Sequence, residues 1–223
     1  MCGRFTETAP FEKVKERFDI ERAEAEPPPR YNIAPGQDVG VVVQKDARRL
    51  CMMRWGLVPP WAKDEKQGHR MINARAETAA EKPSFQKPLA RQRCIIPADG
   101  FYEWKRSASA VHKIPYRFIL KGEILFALAG LWEIWRDAGG GMLRTFTILT
   151  TEANERVQPI HHRMPVILHP EDEALWLNPD MCEARTLSRL LTAYPAEAME
   201  VYEVSTKVNS ALYDGPECTA PRS

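Results

Sequence analysis

The sequence lacks any pairing of its cysteines. Five are scattered at Cys2, Cys51, Cys94, Cys182 and Cys218, with no CxxC among them. A disulfide scaffold and a cysteine-based zinc site are therefore both excluded as organising devices. Excess charge is also missing: 31 basic side chains meet 30 acidic ones, for a formal net charge of +1. Attraction to a polyanion must then come from local clusters of Arg and Lys rather than from the whole molecule. There is no charged-then-apolar leader and no apolar run long enough to span a bilayer. No membrane partner is expected, and a reducing setting, cytoplasmic or nucleoid, fits these absences. His161 and His162 are adjacent, so their side chains diverge, and no third ligand stands at zinc-type spacing. Neither a metal nor a cofactor is expected.

What is present begins at the second residue. With Met1 removed, Cys2 carries two nucleophiles, an α-amine with a pKa of roughly 7.7 to 8 and a thiol that ionises near ~8.5. The amine can condense with an aldehyde to an imine, and the thiol on the same residue can then add to the imine carbon and close a five-membered thiazolidine. Holding both groups on one residue makes the second step intramolecular. An internal cysteine has no free amine and cannot do this.

The chain, 1–223, reads as one domain, since 223 residues with 44% hydrophobic content can bury a single substantial core. Thr8 is placed to cap a short helix with Phe11, Val14 and Phe18 on one stripe. Glu26 to Pro29 forces extended chain, which leads into Tyr31-Asn32-Ile33-Ala34-Pro35-Gly36. Val41 to Val43 and Leu50 to Met53 read as paired strands around a turn at Asp46 to Arg48. Arg54 to Trp61 is a proline-stiffened loop whose Trp55 and Trp61 suit either base stacking or core packing, and a charged run follows from Lys63 to Arg70. Ile72 to Thr78 alternates polar with small residues, as an extended edge presenting Asn73, Arg75 and Glu77 on one side would; a surface ion pair between Arg75 and Glu77 is the alternative.

Arg93 to Pro97 reads as an apolar strand, and Ala98-Asp99-Gly100 as a turn into Phe101-Tyr102-Glu103-Trp104-Lys105. Glu103 stands among three aromatics, where desolvation raises a carboxyl toward the range useful for proton transfer, unless an ion pair holds it. Strands continue over 116–120, 124–132 and 145–149. A short helix is expected from Thr151 to about Gln158, broken by Pro159, so that His161 and His162 lie in a turn where one could serve as an acid-base group. Helices over 170–177 and 183–191 and a strand over 199–204 follow, and the tail from Gly215 reads as disordered. At least seven strands of antiparallel spacing predict an α+β fold, a curled, mostly antiparallel, barrel-like β core with peripheral helices.

Six segments stand in a fixed order: Cys2-Gly3-Arg4-Phe5, Tyr31-Asn32-Ile33-Ala34-Pro35, Trp55-Gly56-Leu57-Val58-Pro59, Ile72-Asn73-Ala74-Arg75-Ala76-Glu77, Asp99-Gly100-Phe101-Tyr102-Glu103-Trp104 and His161-His162-Arg163-Met164-Pro165. Together they resemble the SOS-response-associated peptidase (SRAP) family over positions 2 to about 209, with no departure at a motif residue. The resemblance implies a monomeric sensor of abasic sites in single-stranded DNA that becomes covalently attached to the site's aldehyde and shields it, with lyase-type chemistry and an (auto)peptidase step that frees Cys2. It implies a catalytic set of Cys2, Asn73, Glu103 and His161. It further implies DNA contacts from Arg4, Arg75, Trp55, Trp61 and Asn32. Two other readings use the same residues: an N-terminal-nucleophile hydrolase acting on amides, and a non-catalytic module that binds single strands.

Overall fold

In the computed structural model, residues 2–106, 113–122 and 125–222 are described. Fourteen strands are found among them: β1 (Phe5–Glu7), β2 (Arg22–Ala23), β3 (Arg30–Ile33), β4 (Asp38–Gln44), β5 (Arg48–Trp55), β6 (Asn73–Arg75), β7 (Arg93–Ala98), β8 (Gly100–Lys105), β9 (Ile114–Leu120), β10 (Phe126–Arg136), β11 (Met142–Glu152), β12 (Arg163–Pro165), β13 (Ile167–Leu168) and β14 (Met199–Glu203). Five short helices flank them: α1 (Phe11–Arg17), α2 (Ala76–Ala79), α3 (Pro83–Arg91), α4 (Pro170–Leu177) and α5 (Ala184–Arg189).

The larger sheet runs β12-β11-β10-β7-β4-β5-β2, and β5 returns to pair with β11 through Arg54 and Trp55. That extra pairing closes β11, β10, β7, β4 and β5 into a five-stranded ring, so these strands have no free edge between them. The smaller sheet runs β14-β9-β8-β1-β3. The chain is thus a single α+β domain with a closed, mostly antiparallel barrel core, as its strand pattern predicts.

The ring is buried on both faces, which is why its strands are nearly continuous runs of apolar residues rather than alternating ones. Side chains of period two divide between two cores. Val39, Val41 and Val43 of β4, Phe126 and Leu128 of β10 and Phe146 and Ile148 of β11 pack with Phe101 and Phe118 of the smaller sheet. Val42, Ala127, Ala129, Leu131 and Leu149 face the other way, against Val14 of α1, Leu89 of α3, Trp176 and Leu177 of α4 and Leu187 of α5. Gly100, where the chain crosses from the larger sheet into the smaller, leaves no room for a side chain: a Cβ there would lie 2.6 Å from Arg117 Nε and 2.9 Å from Thr6 Oγ1. That close approach lets Arg117 reach Asp99 at 3.0 Å beneath β1.

Several local expectations are corrected. Thr8 caps nothing; Pro10 stands at the N-cap of α1, while Thr8 donates its backbone N–H to Asp99 Oδ2 at 2.6 Å. The helix expected from Thr151 is absent, because the β-branched Thr150 and Thr151 continue β11 to Glu152 in pairing with β12. Turns follow, with Asn154 Oδ1 accepting from the N–H groups of Arg156 and Val157, each at 3.0 Å. The edge expected over 72–78 stops at Arg75, where α2 begins. Glu77 accordingly pairs with Arg163 rather than Arg75. The strand expected from Ile124 is seen from Phe126, Ile124 itself lying outside the described residues. The described tail, 215–222, is ordered: Cys218 is fully buried, and Val204 bridges to Pro221. Among the described residues no helix is long and apolar enough to cross a membrane.

Candidate active site

The amino-terminal arm is threaded between two strands. Phe5 of β1 lies opposite Ile33 of β3 on one side and Phe101 of β8 on the other, and Tyr102 N–H donates to the Arg4 carbonyl at 3.0 Å. This register draws Cys2 into the core, fully buried. Its carbonyl accepts from Asn73 Nδ2 at 2.8 Å. Asn73 in turn is fixed by β6, which lies parallel to β11 with Asn73 opposite Ile148. Its thiol lies 4.0 Å from the Arg4 carbonyl. Burial pushes that thiol well above its ordinary range, and the charge of Glu103 adds to the shift. At neutral pH Cys2 therefore holds its proton on sulfur.

Glu103 sits opposite Tyr116 in the β8–β9 pair and is only 4% exposed. Burial pushes its carboxyl up to about 7, which is where a group can both take and return a proton near neutrality. His161 Nδ1 is 3.9 Å from Glu103 Oε1, beyond a direct hydrogen bond but within reach of a small movement. His161 is placed by the turn before it, its N–H donating to Val157 O at 3.0 Å. Its Nδ1 lies 3.0 Å from Arg163 N and 3.1 Å from Arg163 O, so the backbone of Arg163 holds this ring nitrogen in either tautomer. Burial, together with nearby positive charge, lowers the His161 pKa. The two shifts run in opposite directions, the carboxyl raised and the imidazole lowered.

A cleft of about 480 Å³ opens over His161 and His162 and is lined by Trp104, Lys105, Arg106, Lys113 and Gln158. A second, of about 410 Å³, shares Gln158 and His162 and adds Arg75 and Arg163. The two clefts adjoin at Gln158 and His162, with Lys105, Arg106, Lys113, Arg75 and Arg163 around them beside Glu152. Arg75 is exposed on their rim. Arg163, with Lys105, Arg106, Lys113 and Gln158, was not singled out by sequence reasoning. Arg163 could have been, since it follows His161 and His162 directly.

Other expected nucleic-acid contacts fall elsewhere. Trp55 is 1% exposed, its ring 5.2 Å from Phe5 and its Nε1 donating to Ile72 O at 2.8 Å. It is a core residue and cannot stack on a base. Asn32 is fully buried, so it cannot touch a strand either. Arg4 is half-buried, its Nη1 donating to Asn32 Oδ1 at 2.8 Å and to Val208 O at 2.6 Å. Trp61, 61% exposed, keeps the free face a stacking ring requires, although it lines neither cleft. All five cysteines are free. Among the described residues, no group of three or more His, Cys, Asp or Glu side chains is arranged to hold a metal.

The amino-terminal arm thus brings a buried cysteine, held at its carbonyl by Asn73, into the same domain as a buried glutamate 3.9 Å from a half-buried histidine. The chain belongs to the SOS response associated peptidase (SRAP) family, which it matches over residues 1–211. It is 52% identical over 220 residues to the abasic site processing protein YoqW of Bacillus subtilis, spanning 97% of this chain and 98% of that one. To the abasic site processing protein HMCES of Gallus gallus it is 37% identical over 227 residues, spanning 86% of this chain and 66% of that one. A crystal structure of a protein from Bacteroides thetaiotaomicron superposes with a TM-score of 0.89 at 29% identity, over the full length of both chains.

Proposed function

We propose that this protein captures abasic sites in single-stranded DNA as a covalent adduct on Cys2. The observation that carries the reading is the placement of Cys2, its carbonyl 2.8 Å from Asn73 Nδ2, in one core with a carboxyl poised near 7 and a histidine 3.9 Å from that carboxyl. An abasic sugar is mostly a closed hemiacetal, so a proton donor must open it. As the ring C–O bond breaks, Glu103 takes the proton of the C1 hydroxyl and passes it to one ring nitrogen of His161, while the other ring nitrogen gives its proton to the ring oxygen. His161 thus ends neutral and the aldehyde is free. The α-amine of Cys2 then attacks the freed aldehyde carbon, and Glu103 moves the amine proton to the carbinolamine hydroxyl. Water leaves, and an imine forms. The thiol adds to the imine carbon while its proton passes to nitrogen, closing the thiazolidine. One water is released overall, and no other reactant is consumed. Asn73 keeps the residue oriented through these steps.

The adjoining clefts give the strand its path, with Arg75 and the lysines at 105 and 113 meeting phosphates. A missing base removes part of the stacking that would otherwise have to be broken. A cysteine hydrolase would use the same residues, and turnover of a small amide is the readout that separates it from adduct formation. Incubation with single-stranded DNA bearing one abasic site, followed by a denaturing gel, tests the proposal. A shifted band resistant to heat is expected. Reversible binding alone, or turnover of a small amide without a shifted band, would overturn it.

A further inference from the structure

Resting on that reading, we infer that Asn32 is a positioning residue for Cys2, acting through Arg4 and fastening the amino-terminal arm to the segment 208–214. Its side chain is a buried hub. Oδ1 accepts from Arg4 Nη1 at 2.8 Å, and Nδ2 donates to Val208 O at 3.2 Å, Ser210 O at 2.9 Å and Tyr213 O at 2.7 Å. Three carbonyls around one NH₂ fix the amide's orientation, since the flipped form would set oxygen against all three. Asp214 locks the same residue from behind: Oδ1 accepts from the N–H groups of Tyr31 and Asn32 at 2.6 and 2.7 Å, and its other oxygen pairs with Arg30.

Arg4 extends the hub toward the nucleophile. Its guanidinium bridges Asn32 Oδ1 and Val208 O, reaches Asn209 O at 3.4 Å, and lies over the Trp104 ring at 5.9 Å. Trp104 lines the cleft above His161, and its Nε1 donates to Asn209 Oδ1 at 2.7 Å. Cys2 is two residues from Arg4. It is therefore held from two directions, by Asn73 on its carbonyl and by the Asn32–Arg4 link along the chain. The far end of the sequence thereby sets where the nucleophile stands.

The measurement is the single-turnover rate of adduct formation at saturating abasic single-stranded DNA, with half-saturation recorded separately. Asn32→Ala is expected to slow the maximal rate roughly 10- to 100-fold, as small misplacements of reacting groups do, while half-saturation stays within a factor of about two. Because Asn32 acts through Arg4, the pair Arg4→Ala with Asn32→Ala should be no slower than Arg4→Ala alone, which a general loss of stability would not produce. Arg4→Lys, which keeps the charge but not the two-pronged donor, should slow the rate and leave the salt dependence of binding unchanged. It carries the test on its own if Asn32→Ala does not fold. A wild-type maximal rate in folded Asn32→Ala, additive losses in the double variant, or a wild-type rate in Arg4→Lys would overturn the inference. Absence of any adduct with the wild-type protein would instead overturn the reading on which it rests.

Discussion

Replacing Cys2 is expected to remove the adduct, and replacing Glu103 to slow it. Cys2→Ala should abolish the heat-stable adduct, and Cys2→Ser should leave at most a labile imine because oxygen closes the ring poorly; mass spectrometry of the adducts decides between them. A wild-type yield from Cys2→Ala would sink the chemistry. Glu103→Gln should slow adduct formation by roughly 10²-fold, the scale of one acid-base group, and remove the rise in rate as pH passes through about 7. Its effect on stability has the other sign. The native carboxyl holds its proton up to about 7, against an ordinary value of 4.5, so the folded state binds more protons than the unfolded one in that interval. Stability is therefore lost as pH rises from about 4.5 to about 7, and above 7 the buried charge costs its full amount. The glutamine variant should melt above wild type at pH 8, with the gap closing toward pH 4.5. A lower melting temperature for the variant at pH 8 would show that Glu103 is held by ion pairing instead. Residue chemistry of this kind was legible in the sequence, because three aromatics around one carboxylate announce desolvation. The burial of Asn32 and Trp55 was not, since an amide or an indole beside prolines looks the same whether its partners are a nucleic acid or three carbonyls 176 to 181 positions away.

At the level of elements, the turn between β11 and β12 aims His161. Asn154 organises it, accepting from two N–H groups and donating from Nδ2 to Tyr194 O at 2.6 Å. Asn154→Ala is expected to cost about 1 to 2 kcal/mol of stability and to slow adduct formation without changing the affinity for intact single strands. Denaturant unfolding beside gel-based rates would check both, and a weakened affinity would place this turn in binding instead. The adjoining clefts make a separate demand. Arg75→Ala should weaken binding and reduce the slope of log affinity against log salt by about one, as loss of one phosphate contact does. An unchanged slope would remove Arg75 from the strand's path. The strands around these parts were readable from β-branched and aromatic runs, and so was the barrel-like class. The helix expected over 151–158 failed for a tertiary reason: β11 runs on to Glu152 because β12 and β6 are there to pair with it, and local sequence does not contain those partners. The tail was misread on the same ground, its polar composition concealing the buried Cys218 and the acceptance by Cys218 O from the Tyr102 hydroxyl at 3.1 Å.

For the molecule as a whole, the arm that carries Cys2, the proposed nucleophile, is also a structural strand. β1 is the strand between β3 and β8 in the smaller sheet, so the fold draws Cys2 into the core as a consequence of completing its own sheet. This makes processing ahead of Cys2 a chemical switch rather than a conformational one. While Met1 is attached, the nitrogen of Cys2 is an amide whose lone pair is delocalised into the neighbouring carbonyl, and it cannot form an imine. The sheet and the Asn73 contact do not depend on that change, since they engage the chain from Cys2 onward, whereas the shifts of Glu103 and His161 do, because the charge of the amino terminus acts on both. Protein retaining Met1 is therefore expected to fold with an unaltered melting temperature, to bind abasic single strands, and to form no thiazolidine. If the protein removes its own first residue, Glu103 or His161 serves as the proton carrier, and purified Met1-retaining protein should lose the mass of one methionine over time without an aminopeptidase. Glu103→Gln and His161→Ala should then retain it. Intact mass followed over time, with crosslinking measured on the same samples, tests the whole sequence of events. Adduct yield should track the Met1-free fraction. Efficient thiazolidine formation by protein that demonstrably keeps Met1 would remove the α-amine of Cys2 from the mechanism.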